Sequence, residues 1–175
     1  MKDDQDSMLV VRCQLGDRAA WETLVHRWHP RLWRFIFGML GNHAVSEDVL
    51  QNVWLRIVRS LVRLREPDRL SAWMYGVARN VIADRLREQY RRPEPKEFTD
   101  AIVESDASEI LEITDSLKQA LDCLHPANRE VVVLYYLEEK SLDEVAAVCL
   151  IPPGTVKSRL HRSRRLLREK LEREK

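Results

Sequence analysis

Glycine is scarce in this 175-residue sequence, at 5 positions, and so few turn-permissive residues argue against turn-rich β architectures. No uninterrupted apolar run exceeds VVVLYYL, Val131 to Leu137, far short of the ~18–20 residues that a membrane-spanning helix needs. The amino terminus, MKDDQDS, lacks the basic lead of a secretory signal. Cys13, Cys123 and Cys149 are odd in number, scattered among aliphatic neighbours and never in CxxC spacing. That usage predicts reduced, buried thiols in the cytosol rather than a disulfide framework. Zinc ligation would need His and Cys partners at short spacings, which are missing. So are GxGxxG, GxxxxGK[ST], HExxH and GxSxG. Neither a metal, a cofactor nor a catalytic residue is expected.

What is present points to helices. Leu, Arg, Glu, Ala and Val dominate, mostly good helix formers. With 45% hydrophobic and 33% charged residues, the chain has enough apolar material for real cores. The net charge of +1 conceals a strong pattern. Arg56 to Arg92 holds ten arginines against four acids, a net +6. Pro93 to Asp115 holds eight acids against Lys96 alone, a net −7. Pro152 to Lys175 holds nine Lys and Arg against three Glu, again +6. A charge run often marks only a solvated helix face. Two basic blocks flanking an acidic one suggest two surfaces for a polyanion, joined by a segment that nucleic acid would repel. RRPEPKEFTDAIVESDASE carries two prolines and no sustained helical period, so the domain boundary is placed there, between about Arg92 and Asp115.

In the N-terminal piece, Met8 to Gln14 form a short apolar turn set broken by Gly16-Asp17. Asp17 is expected to cap a helix carrying Trp21, Leu24, Val25 and Trp28, which Pro30 interrupts and Leu32, Phe35, Ile36, Met39 and Leu40 continue. Ser46 is expected to start a third helix on Val49, Val53, Ile57 and Leu61, and Ser71 a fourth. Four amphipathic helices predict a compact bundle. Trp21, Trp28 and Trp54 read as core. Trp73 and Tyr75 stand with Arg79, Asn80, Arg85 and Arg87 on one helix, offering the π-faces, cations and amide that unstacked bases use.

In the C-terminal piece, Leu117, Leu121 and Leu124 form one turn set, and Pro126 suits the first turn of a helix through Leu137. VVVLYY alone would read as a strand, but its flanks favour helix. Ser141 and Glu144 make a capping box before LDEVAAVCL. IPPG then turns the chain into a long basic helix whose apolar positions Val156, Leu160, Leu166, Leu167 and Leu171 face inward. Two short helices around a tight turn, the second basic, are a helix-turn-helix arrangement. Thr155, Lys157, Ser158, Arg159, His161 and Arg162 lie along or flank its exposed start, where bases and phosphates are met. A solvated basic helix would carry the same charges; spacing, turn and charge together favour DNA.

SLDEVAAVCLIPPGTVKSRLHRSRRLLREKL closely resembles the promoter-binding domain of extracytoplasmic function (ECF) bacterial sigma factors. GDRAAWETLVHRWHPRLWRF, SEDVLQNVWLRIVRSL and SAWMYGVARNVIADRLR resemble the family's first domain, in the family's order. The resemblance implies an all-α protein of two small helical domains: an N-terminal bundle over residues 1–92 and a C-terminal four-helix domain over residues 115–175 containing the helix-turn-helix. An acidic linker over residues 93–114 would join them. It implies a non-enzymatic, cytoplasmic bacterial initiation factor that binds core RNA polymerase, through the beta-prime clamp and the beta flap, and promoter DNA, with an anti-sigma factor as a further partner and no membrane insertion.

Asp48, Gln51, Asn52, Trp54 and Arg56 match the family's polymerase-docking helix. Arg65, Asp68, Arg69, Ser71, Trp73, Tyr75, Arg79, Asn80, Asp84 and Arg87 match its region that melts and reads the minus-ten element. Thr155, Lys157, Ser158, Arg159, His161, Arg162 and Arg165 match its minus-thirty-five contacts. The acidic linker would mimic nucleic acid in polymerase channels with basic walls. Asn52 stands where the family usually has an acid, and Leu150 where the turn usually has Gly. A left-handed Leu150 costs on the order of 1 kcal/mol, or the turn adopts another geometry. Two other classes compete. A stand-alone helix-turn-helix regulator would have no need for SEDVLQNVWL. A nucleic-acid-processing enzyme would need clustered carboxylates, and Asp3, Asp4 and Asp6 in an expected flexible tail, or Glu138-Glu139 at a helix end, do not supply them.

Overall fold

A computed structural model of the chain describes residues 2–91 and 118–173, and the described residues form helices and turns without a strand. The predicted acidic linker lies outside the described residues. Helix α1 (Lys2–Gln14) leads through Gly16, at a φ of 83°, into α2 (Arg18–Leu40). Asp17 caps α2 as expected, its carboxylate accepting from the N–H groups of Ala19 and Ala20. Asp3, Asp4 and Asp6 belong to α1 rather than to a tail. Pro30 does not break α2. Proline removes one backbone donor, and the buried stripe Leu24, Trp28, Leu32, Phe35 and Ile36 holds both flanking turns against the same core.

Gly41, left-handed at a φ of 65°, stops α2 by returning its N–H to the Phe37 carbonyl. Helix α3 (His43–Ser60) begins one turn before the expected Ser46, because Asn42 supplies the cap to Val45 N–H. Ser46 is buried inside the helix and its hydroxyl donates to the Asn42 carbonyl at 2.6 Å. Two 3-10 turns, Leu61–Arg63 and Pro67–Arg69, lead into α4 (Leu70–Arg91), so Ser71 is not its cap. The Gln14 amide donates to the carbonyls of Leu61 and Leu64 at 3.0 and 2.9 Å, tying α1 to this connection.

The chain resumes with helical residues 118–122. Helix α5 (Pro126–Val132) follows, then a wider π-turn (Val133–Leu137), α6 (Leu142–Cys149) and α7 (Pro153–Arg173). VVVLYY is helical, as its flanks required. The capping box forms in full, Ser141 and Glu144 each bonding to the other's backbone N–H. Leu150 ends α6 in the left-handed region at a φ of 56° and is 81% exposed. Cys13 and Cys149 are buried thiols, whereas Cys123 is exposed: it follows the last helical turn, on the solvent side of Leu121 and Leu124.

The two halves share one continuous apolar core. The π-turn packs on α2 at Gly38, where an added Cβ would meet the γ carbons of Val133 at 3.0 and 3.1 Å. Beside it Glu138, its side chain 1% exposed, accepts from the Tyr75 hydroxyl at 2.6 Å and from Arg34 Nε at 3.1 Å. Arg79 Nε lies 2.8 Å from Glu130 with its N–H off the line to that oxygen, so this contact is electrostatic rather than a directed hydrogen bond. Burying an ionised carboxylate costs several kcal/mol, while each hydrogen bond to it returns about 1.5–3 kcal/mol. Two donors therefore roughly offset the cost at Glu138. Burial nevertheless pushes both glutamates above their ordinary value of 4.5.

Two outcomes follow for stability. Leu150→Gly removes the left-handed penalty of about 1–2 kcal/mol and loses no packing, so even after glycine's entropic cost the thermal midpoint rises by up to a few degrees. An unchanged or lower midpoint contradicts this. At Glu138 the folded chain holds its proton more tightly than the unfolded chain. That contribution is fully present below the unfolded pKa of about 4.5 and is lost as pH rises through the folded value. The unfolding free energy of the wild type relative to Glu138→Gln should therefore fall as pH is raised above about 4.5 and then level off. A difference that grows with pH would place the carboxyl below its ordinary range.

Candidate nucleic-acid interface

Three surfaces collect the residues that the sequence singles out. The first is the outward face of α3. Asp48, Gln51 and Asn52 are exposed there, and the same face continues at helical spacing through Leu55, Val58 and Val62, which are 54, 53 and 59% exposed. Sequence reasoning missed these three aliphatics as surface residues. The signal was available, since α3 carries more apolar positions than one buried stripe can use. Trp54 sits on the flank instead, packed against the core and stacked on His29 with ring centroids 6.4 Å apart. Arg56 is exposed but turned to α4, where it meets Asp84 at 2.8 Å. Arg87 meets the other oxygen of Asp84 at 2.9 Å, a solvated triad worth little in stability.

The second surface is an open concavity of about 420 Å³ between the end of α3 and the start of α4. Ser60, Arg63, Leu64, Arg65, Glu66, Arg69, Ala72 and Trp73 line it. Arg65, Arg69 and Trp73 were expected here; Ser60 and Arg63 were not, because they arrive from the other side of the turn. The indole, Leu64 and Ala72 give it apolar faces, and three guanidinium groups stand around them. Arg69 is partly neutralised by Glu66 at 2.9 Å. A flat aromatic ringed by cations can hold an unstacked base and its phosphates. Asp68 is exposed and Ser71 half-buried beside the cavity.

Further along α4 the expectation fails in part. Tyr75 is fully buried, its ring packed edge-on to Trp28 at 5.7 Å and to Phe35 at 5.3 Å. Arg79 is committed to Glu130. Helical spacing from Trp73 places Tyr75 some 200° away, on the core side. Neither can meet DNA in this arrangement. Asn80 is exposed, as are Asp84 and Arg87.

The third surface is the solvent face of α7. Val156, Leu160 and Ser163 are buried beneath it, while Lys157, Ser158, His161, Arg162 and Arg165 are exposed and Thr155 half-exposed. Ser158 donates to the Thr155 carbonyl at 3.0 Å, and Arg165 lies 3.7 Å from Glu169. Arg159 departs from the set: it donates to the Ala127 carbonyl at 3.2 Å and braces α5 against α7. Thus a basic face stands over an apolar one, and the positive end of the helix dipole lies at its start, where the N–H groups of Thr155 and Val156 are bonded to the Pro152 carbonyl.

No described helix is long and apolar enough to cross a membrane. Among the described residues, no three His, Cys, Asp or Glu side chains gather so as to hold a metal ion.

Comparison with known proteins agrees with this arrangement. Residues 24–92 match the family described as Sigma-70 region 2, and residues 107–167 match Sigma-70, region 4. The chain is 35% identical to the RNA polymerase sigma factor CarQ of Myxococcus xanthus over 163 residues, 89% of this chain and 91% of that one. It is 29% identical to the ECF RNA polymerase sigma factor SigW of Bacillus subtilis over 178 residues, 93% and 94% of the two chains. Among solved structures it is similar to the sigma factor RpoE of Bartonella quintana, determined in complex with the anti-sigma factor NepR. That similarity has 25% identity and a TM-score of 0.74 over 87% of this chain and 96% of the other. Two sigma-70 regions in order, carried on this helical frame, place the chain in the ECF subfamily of bacterial RNA polymerase sigma factors.

Proposed function

We propose that the three surfaces divide the work of this sigma factor among them. The face that runs from Asp48 in α3 to Val62 in the 3-10 turn after it docks on the beta-prime clamp of core RNA polymerase. The concavity around Trp73 takes bases and phosphates of the minus-ten element as the duplex opens. The α7 face from Thr155 to Arg165 reads the minus-thirty-five element in the major groove, while the C-terminal half meets the beta flap. The factor has no catalytic step of its own, works in the bacterial cytoplasm and is held silent by an anti-sigma protein, as RpoE of Bartonella quintana is found with NepR. Residues 1–92, 93–114 and 115–175 serve as docking and melting domain, acidic linker and minus-thirty-five domain.

The observation that carries this reading is the α3 face. Three aliphatic side chains stay more than half exposed in register with Asp48, Gln51 and Asn52. An apolar centre with a polar flank suits burial against a protein partner and has no use in a regulator that binds DNA alone.

Paired variants test the division. Asp48→Lys with Gln51→Ala should weaken binding to sigma-free core polymerase at least tenfold and leave binding of the free chain to duplex DNA unchanged. Unchanged polymerase affinity would mean that another face docks. Lys157→Ala with Arg162→Ala should do the reverse, weakening DNA binding while docking persists. If both side chains meet phosphates, the slope of log affinity against log salt falls by about 1.8 in magnitude. Lost docking in that variant would overturn the division. Arg159→Ala is unsuitable here, because losing its bond to Ala127 costs about 1 kcal/mol of stability on its own.

A further inference from the structure

Arg63, Leu64, Arg65, Glu66 and Arg69, which make up most of the wall of the concavity, all stand in the connection between α3 and α4. That connection has little hold of its own on the bundle. Leu61 is buried at one end and Leu70 at the other, and no residue from 62 to 69 is buried between them. Its two 3-10 turns close on themselves, Leu64 N–H on the Leu61 carbonyl and Arg69 N–H on the Glu66 carbonyl, each at 3.0 Å. Those bonds shape the turns without fixing their place.

Gln14, the last residue of α1, supplies a fixed point. A side-chain amide has two N–H hydrogens. Here one goes to the Leu61 carbonyl at 3.0 Å and the other to the Leu64 carbonyl at 2.9 Å, 47 and 50 residues further along the chain. Helix α1 does not need these bonds to stay where it is. Leu9, Val10 and Cys13 bury its inner side, and Arg27 pairs with Asp6. The Trp21 indole donates to the Cys13 carbonyl at 3.2 Å, and Arg12 meets Asp17 at 2.6 Å. Already secured to α2, the helix acts as a strut whose polar end holds the connection.

We infer that Gln14 is a positioning residue for the minus-ten surface. By holding the Leu61 and Leu64 carbonyls it sets Arg63 and Arg65 around Trp73, although no residue of α1 lines the concavity. The inference rests on the assignment of that concavity to minus-ten DNA. The role requires a donor. A carboxylate of the same size would face two carbonyl oxygens with no hydrogen to offer, and the turn would move away from it.

Gln14→Glu tests this in holoenzyme assembled with excess core polymerase. The probe is the nontemplate single strand of the minus-ten element, from a promoter that the wild-type holoenzyme selects out of a random pool. The variant should bind this strand at least tenfold more weakly. The slope of log affinity against log salt should also fall by about 1.4 in magnitude, two phosphate contacts at about 0.7 each. A purely structural role would lower the bound fraction at saturation and leave the slope alone, so an unaltered slope overturns the inference. Should Gln14→Glu fail to fold, Gln14→Met, which fills the same space without a donor, decides by the same readouts. Arg63→Ala with Arg65→Ala separates the inference from the reading beneath it. If that variant loses affinity and slope while the Gln14 variant keeps both, the positioning role is overturned and the minus-ten assignment stands. If it loses neither, the assignment of the concavity is wrong, and the inference goes with it.

Discussion

The structure turns on one buried carboxylate. Glu138 is almost wholly withdrawn from water, and an ionised group there persists only because Tyr75 and Arg34 both donate to it. Those donors come from α4 and α2, while Glu138 belongs to the turn that opens the way to the helix-turn-helix. One residue thus fixes where the C-terminal half sits on the bundle. Val133 against Gly38 sets the distance between the halves, and Glu138 sets their register. Lys140, with its ammonium 5.7 Å from the centre of the Tyr75 ring, adds a third contact to the same tyrosine.

Around this seam the polar surfaces remain apart. The α3 face is apolar at its centre and acidic at one end, which suits a protein partner. The concavity near Trp73 and the face of α7 are cationic, which suits DNA. Each is underlain by residues doing purely structural work, such as Trp28 under α4 and Val156 and Leu160 under α7. Arg159 shows how narrow the division is. It lies on α7, the helix proposed to read DNA, yet its guanidinium is committed to the backbone of α5.

Much of this was legible in the sequence where the physics is local. Asp17 and the capping box of Ser141 and Glu144 depend on residues within a few positions and appear as expected, while Leu150 takes the left-handed one of the two geometries its sequence left open. The helical state of VVVLYY followed from its flanks. What failed depends on residues far away in the chain. Tyr75 resembles a base-stacking residue when read beside Arg79 and Asn80; only the approach of Glu138 makes it a core donor. Pro30 looked like a break because its own turn was considered without the core that spans it. Leu55, Val58 and Val62 drew no notice as a surface feature, and only the packed bundle leaves them more than half exposed.

What this chain lends RNA polymerase is its choice of promoter. Co-elution of the purified chain with bacterial core polymerase stripped of sigma tests this and requires no knowledge of the promoter. A stable complex at near-equal stoichiometry is expected. A chain that elutes alone while still binding duplex DNA would contradict it.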